Sequence, residues 1–126
     1  MADTTFNLEL RRGSQPSTTV ISVSGALILE NLFKFQSAWR EANADNIIFD
    51  LAGVPYMDSS AIGSLVNAHV SFAHRGKRIA LAGVNERVKQ ILTVTQVAAI
   101  FRYFPDAASA EAALGDVATG VSTPKP

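Results

Sequence analysis

Residues 46–63 read Asn46-Ile-Ile-Phe-Asp50-Leu-Ala-Gly53-Val-Pro55-Tyr-Met-Asp58-Ser59-Ser60-Ala61-Ile62-Gly63. The part from Asn46 to Leu51 is mostly apolar, the composition of a strand covered on both faces by helices. Gly53 and Pro55 then mark a loop from Ala52 to Asp58. From about Ser59 the period changes. Ile62, Leu65, Val66, His69, Phe72 and Ala73 fall on one stripe of a helix that ends before Gly76. His74 and Arg75 occupy its last turn, where cations suit the helix dipole. A buried strand, a loop and an amphipathic helix in succession are the front of a β-α-β unit, and that decides the fold class.

Upstream, Phe6 to Leu10 alternates apolar and polar, a strand with one wet face. Arg11 to Ser17 holds Gly13 and Pro16 and reads as a turn. Thr18 to Ser24 is a second strand, so the two form an antiparallel hairpin at a sheet edge. Leu32, Phe35, Ala38, Trp39 and Ala42 recur at helical spacing and predict a helix from about Leu29 to Asn43. Downstream, Arg78 to Ala82 is a short strand, and Asn85 caps a helix with Val88, Ile91 and Leu92 inward. Ile100 to Phe104 is the last strand. Pro105-Asp106 opens a fourth helix through Leu114, with Asp106 as cap, and the apolar pattern fades from Gly115. The expected architecture is α/β: a mixed, mostly parallel sheet with an antiparallel edge strand, flanked by about four helices. Residues 1–115 are expected to form the domain and 116–126 a flexible tail. Sites in such sheets lie at the carboxyl ends of strands, which selects Gly25 to Asn31, Val54 to Gly63 and Gly83 to Arg87.

The 126 residues hold equal numbers of basic and acidic side chains, 11 each, and no cysteine. One domain of this length can bury a core without staples. The missing cysteine excludes disulfides, thiolate metal sites and cysteine nucleophiles. Charge balance argues against nucleic acid as the main partner. The first residues, Met1 to Phe6, lack the pattern of a signal peptide. The longest apolar run, Val97 to Phe101, falls far short of the ~18 residues of a membrane span. A cytoplasmic protein without membrane insertion is expected.

Asp58, Ser59 and Ser60 lie where the loop meets the helix. Helix starts carry unpaired N–H groups and about half a positive charge. Either serine can cap there, and a phosphate on a serine would be favoured at the same place. Such a phosphate adds nearly two negative charges beside Asp58 and changes which partner can dock. Capping alone also accounts for the pattern, because Asp and Ser are the commonest N-caps.

Asp50-Leu51, the apolar loop and Asp58-Ser59-Ser60-x-Ile62-Gly63 resemble the signature of STAS domains, and more specifically of anti-sigma factor antagonists. Arg75 to Val84, Val88-x-x-Ile91-Leu92 and Gly25 fit the same pattern, so the resemblance covers about Phe6 to Leu114. It implies a bacterial, non-enzymatic partner-switching role in transcription regulation. The unphosphorylated antagonist would bind an anti-sigma factor that is also a serine kinase. That kinase would phosphorylate Ser59, and a serine phosphatase would reset it. Asp58 would orient the helix start and join the docking surface, with Ser60 as second hydroxyl. The rim would also include Ala61, Ile62, Leu27, Ile28 and Asn85. The domain needs no metal or cofactor of its own; the kinase would bring ATP and magnesium. A monomer or weak homodimer is expected. Two positions depart from the family pattern: Ala61 stands for a usual glycine, and Ile28 for an aspartate found in many members, which removes an acid from the kinase-facing rim.

Other readings compete. Asp50 could be the acceptor of a phosphorelay receiver, but Ser24 to Leu29 lacks the acidic pair that would hold magnesium. A hydrolase using Ser59 and His69 would span about 15 Å along one helix, beyond hydrogen-bond reach. A STAS-like domain can also be a non-switching subunit of a stress-sensing or lipid-transport complex, which the sequence leaves open. Trp39 with Phe35 reads as core packing. Arg11-Arg12, Arg75 to Arg78 and Glu86-Arg87 read as scattered, solvated charge. Leu27 to Leu29 reads as packing at the helix start or as an apolar contact for a partner.

Overall fold

The computed structural model describes residues 6–13 and 17–118. In chain order the elements are β1 (Asn7–Arg12), β2 (Thr18–Ser24), α1 (Leu29–Glu41), β3 (Asn46–Gly53), α2 (Ser59–His74), β4 (Arg78–Ala82), α3 (Glu86–Val94), β5 (Tyr103–Phe104) and α4 (Ala107–Ala118). A 3-10 turn, Ala98–Ile100, precedes β5. The sheet order follows the sequence, β1-β2-β3-β4-β5. β1 pairs with β2 antiparallel, and every later pair is parallel. The mixed sheet with its antiparallel edge is the architecture the pattern predicts.

Alternation along the strands builds two cores. Ile21, Phe49 and Leu81 are register partners on one face, where they pack with Phe35, Trp39, Leu65 and Phe72 from α1 and α2 and with Val88 and Leu92 from α3. Val20, Ile48 and Ala80 form the next row and face α4 through Ala110 and Leu114. Three helices thus cover one face and one helix the other, which is why β3 reads as continuously apolar. The Phe35 and Phe49 rings meet at 5.2 Å, and Trp39 is buried with its indole N–H donating to the Ser64 hydroxyl at 3.3 Å.

Several boundaries differ from expectation: α1 stops at Glu41, two residues short of Asn43, and β3 runs on to Gly53, two past Leu51. β1 runs through Arg12, because Arg11 and Arg12 pair with Val20 and Thr19 before the chain turns; Pro16 of the expected turn lies outside the described residues. The expected strand Ile100–Phe104 shortens to Tyr103–Phe104. Ahead of it Gln96 takes φ 66° and Ile100 N–H bonds back to Val97 O, so the chain coils there. The Tyr103 hydroxyl fastens that coil by donating to Ala98 O at 2.6 Å. α4 continues past Leu114 to Ala118, so its helix includes the first part of the expected tail; residues 119–126 lie outside the described residues. Asp106 caps α4 as expected, accepting from Ser109 N–H at 2.8 Å.

Candidate functional site

The three segments singled out by the strand-end rule meet at one rim. Gly25 N–H donates to Gly53 O at 2.9 Å, and Leu27 N–H to Tyr56 O at 3.0 Å. Asp58 N–H returns a bond to Leu27 O at 3.2 Å. The β2–α1 and β3–α2 loops are therefore laced like a short extra parallel bridge, Leu27 beside Met57. Asn85 adds the third loop. Its amide donates to Val54 O at 2.9 Å, while its Oδ1 accepts Val88 N–H at 2.8 Å and caps α3. Gly83 permits the close approach: its φ is +70°, and a Cβ there would sit 2.9 Å from Ala52 Cβ.

Asp58 holds the centre. Its Oδ1 accepts Ala61 N–H at 3.0 Å, the N-cap bond of α2. Its Oδ2 accepts Leu29 N–H at 3.0 Å, the first amide of α1. One carboxylate thus caps two helices and receives the positive ends of both dipoles. Desolvation is the largest single influence on Asp58 and raises its pKa. The bonds from Ala61 and Leu29 N–H, and from the Ser60 hydroxyl and N–H, together outweigh it, so the carboxyl titrates below the ordinary aspartate value. This corrects the expectation that a serine caps α2. Ser59 and Ser60 are the first helical residues, and the cap is the aspartate before them. Ile28 is the residue ahead of α1 and makes no side-chain cap bond; the side-chain acceptor at this helix start is Asp58, which takes the Leu29 N–H.

Ser59 is exposed, Ser60 and Ile28 half-buried and Asn85 exposed, all on the rim. Leu27 and Ala61 have no accessible surface, and Ile62 keeps 5 %. Leu27 and Ala61 thus lie beneath the rim and not on its surface, and Ile62 keeps only a small exposed area there. The alanine that stands for the family glycine therefore points its methyl inward. Of the exposed apolar groups here the sequence reading singled out Leu29, as a candidate apolar contact, and missed Phe33 and Tyr56. Leu29 is 65 % exposed and Phe33, one turn later, 78 %. Tyr56, in the β3–α2 loop, is also exposed, with the Arg87 guanidinium 5.7 Å over its ring. An aromatic residue off the apolar stripe of α1 was the available signal for Phe33.

Asp50 lies inside β3, not at its end, and its Oδ1 accepts Ala52 N–H at 3.2 Å. Among the described residues no group of three or more His, Asp or Glu side chains could hold a metal. His69 is half-buried with its ring 5.8 Å from Phe101, edge to face.

The STAS domain family profile matches residues 11–110. The chain belongs to the STAS domain family. Solved structures share the STAS fold across most of the chain at low identity. An anti-sigma factor antagonist from Mycobacterium paratuberculosis is 15 % identical with a TM-score of 0.78, covering 89 % of this chain and 96 % of that one. The Bacillus cell fate determinant SpoIIAA in its phosphorylated form is 16 % identical with a TM-score of 0.66, covering 86 % and 99 %. A sulfate transporter family protein from Wolinella succinogenes is 18 % identical with a TM-score of 0.67, covering 79 % and 85 %. The same STAS fold thus serves antagonists and transporter-associated domains. Among the described residues no helix is long and apolar enough to cross a membrane.

Proposed function

We propose that this STAS domain acts as an anti-sigma factor antagonist, binding an anti-sigma factor that is also a serine kinase, with Ser59 as the phosphoacceptor. The observation that carries the reading is the bridging carboxylate of Asp58. It pins the start of α1 to the start of α2 and leaves Ser59 exposed at the first residue of α2, near the exposed side chain of Leu29. A hydroxyl there is open to a kinase. A phosphate there would meet the positive end of α2 and would place up to two negative charges on an apolar docking surface. Charge buried in an interface without a partner costs several kcal/mol, so phosphorylation would release the complex. A serine phosphatase would restore docking. The domain would be a non-enzymatic cytoplasmic regulator, with ATP and magnesium belonging to the kinase.

The test is a pull-down from the native cell with wild type, Ser59→Ala and Ser59→Asp. A kinase-type anti-sigma factor should be retained by wild type and Ser59→Ala and lost with Ser59→Asp. Equal retention by all three would defeat the switch. A stable partner of another class, with no phosphoserine, would favour a non-switching subunit.

A further inference from the structure

The fold gathers cations that the sequence scatters. β1 ends, and α1 and α2 finish, at the same end of the sheet where the parallel strands begin. That end carries Arg11, Arg12, Arg40, Arg75, Lys77 and Arg78, and it is the end opposite Ser59. α2 alone, with 16 residues, separates the two by roughly 20 Å. Between the last turns of α1 and α2 a groove of about 500 Å³ opens, lined by Arg40, Asn67, Ser71, His74 and Arg75 around Val70, with Trp39 at its floor. This is within the ordinary size of a small-molecule site.

Arg40, Asn67, Ser71, His74 and Arg75 bring hydrogen-bonding side chains to the lining, and none of the lining residues is an acid. Each guanidinium lies over an aromatic ring: Arg40 is 5.5 Å from the Trp39 ring centre and Arg75 4.9 Å from that of Phe72. Arg75 Nε also donates to Ser71 O at 3.3 Å. Neither arginine forms an ion pair with a described residue. Arginine next to a helix C-terminus offsets the dipole, but that role uses one donor of the five each guanidinium carries. Two preorganised forks, an imidazole, an amide and a hydroxyl facing one groove match the oxygens of a phosphate ester.

We propose that the groove between the C-terminal turns of α1 and α2 is a binding site for a phosphate monoester, with Arg40 and Arg75 as the paired forks. The phosphate can belong to a soluble metabolite or to a phosphorylated lipid headgroup, and the chemistry at the groove is the same. The site is independent of Ser59 and of the antagonist reading.

The chain contains one tryptophan, and it forms the floor of this groove, so its fluorescence reports the site directly. The full chain is titrated with phenyl phosphate and with inorganic phosphate, against sodium chloride at matched ionic strength. Phosphate should give a saturable change in Trp39 emission that chloride does not. Arg40→Gln and Arg75→Gln, checked for folding by circular dichroism, should each weaken binding roughly tenfold, the loss of one charged hydrogen-bonding group. Ser59→Asp should leave it unchanged. Cosedimentation with phosphatidylcholine vesicles, with and without phosphatidylinositol phosphate, identifies the source: retention only on the phosphorylated vesicles assigns the headgroup, and phenyl phosphate binding without retention assigns a soluble ester. No saturable change with any phosphate, an equal change with chloride, or full binding by the folded Arg40→Gln and Arg75→Gln variants would overturn the proposal.

Discussion

Replacing Asp58 by alanine removes two helix caps in one step. Each N-cap bond contributes about 1 kcal/mol, and a carboxylate near a helix start adds about 0.3–1 kcal/mol per dipole. Asp58 accepts from both Ala61 and Leu29 at 3.0 Å, and it is half-buried, so solvent screens part of the charge. Asp58→Ala should therefore cost about 2–3 kcal/mol and lower the midpoint of thermal unfolding by roughly 10 °C. Asp58→Asn separates the two caps. Its remaining oxygen can hold Ala61 N–H, while its amide cannot accept from Leu29, so about half the loss is expected. Urea unfolding followed by circular dichroism measures both, with the slope unchanged. The pH dependence has a definite sign. The folded pKa is depressed below the ordinary aspartate value, so the stabilisation is present above that value and fades as pH falls through the folded pKa. The gap between wild type and Asp58→Ala should narrow at low pH. A loss no greater than about 1 kcal/mol, the figure for a lone cap, or a gap that stays constant with pH, would refute the double-cap reasoning.

Leu27→Ala should destabilise by about 2–5 kcal/mol, as expected for a fully buried side chain. Phe33→Ser, at 78 % exposure, should change stability by less than about 0.5 kcal/mol yet weaken retention of the partner in the pull-down. Gly83→Ala should cost at least about 1–2 kcal/mol from its positive φ alone, whereas Gly63→Ala, with open space around the new methyl, should stabilise α2 by about 0.5–1 kcal/mol; chemical denaturation compares the two. Ser59→Asp sets a second carboxylate beside Asp58, so the Leu29 amide should exchange hydrogen faster by NMR, and unchanged exchange would show that the start of α1 does not feel Ser59.

The layout of the sheet was legible because periodicity reports burial directly. Asn46 to Leu51 is apolar on both faces since helices cover both, and β1 alternates since it is an edge. The last strand was misplaced for a physical reason. Ile100 and Phe101 have strand-like side chains, but Phe101 is buried by a coil that Gln96 starts in a left-handed conformation, and no local pattern announces that choice. The position of the rim was legible from the strand-end rule. What each rim residue does was not. Leu27 and Ala61 flank the rim segments in sequence but are fully buried, while the bond from Leu29 N–H to Asp58 joins residues 29 positions apart and depends on tertiary contact.

A net charge of zero also concealed an arrangement. Glu30, Asp58, Glu86 and Asp106 sit at or near the strand carboxyl ends, joined by Arg87 and Lys89, while the opposite end holds Arg11, Arg12, Arg40, Arg75, Lys77 and Arg78 against Glu41, Asp45 and Glu111, the last paired with Arg11 at 2.6 Å. A parallel sheet sorts residues this way because every strand-to-helix loop falls at one end and every helix-to-strand loop at the other. Helix dipoles reinforce it, since acids are favoured at helix starts and bases at helix ends. The consequence is that the two ends meet ligands by opposite rules. At the Ser59 end an added phosphate joins existing carboxylates, so modification there changes docking chiefly by repulsion. At the Arg40 and Arg75 end the same phosphate group is attracted. Sequence-level charge balance excludes only partners that read the whole molecule as one field; it leaves open a partner that reads one end.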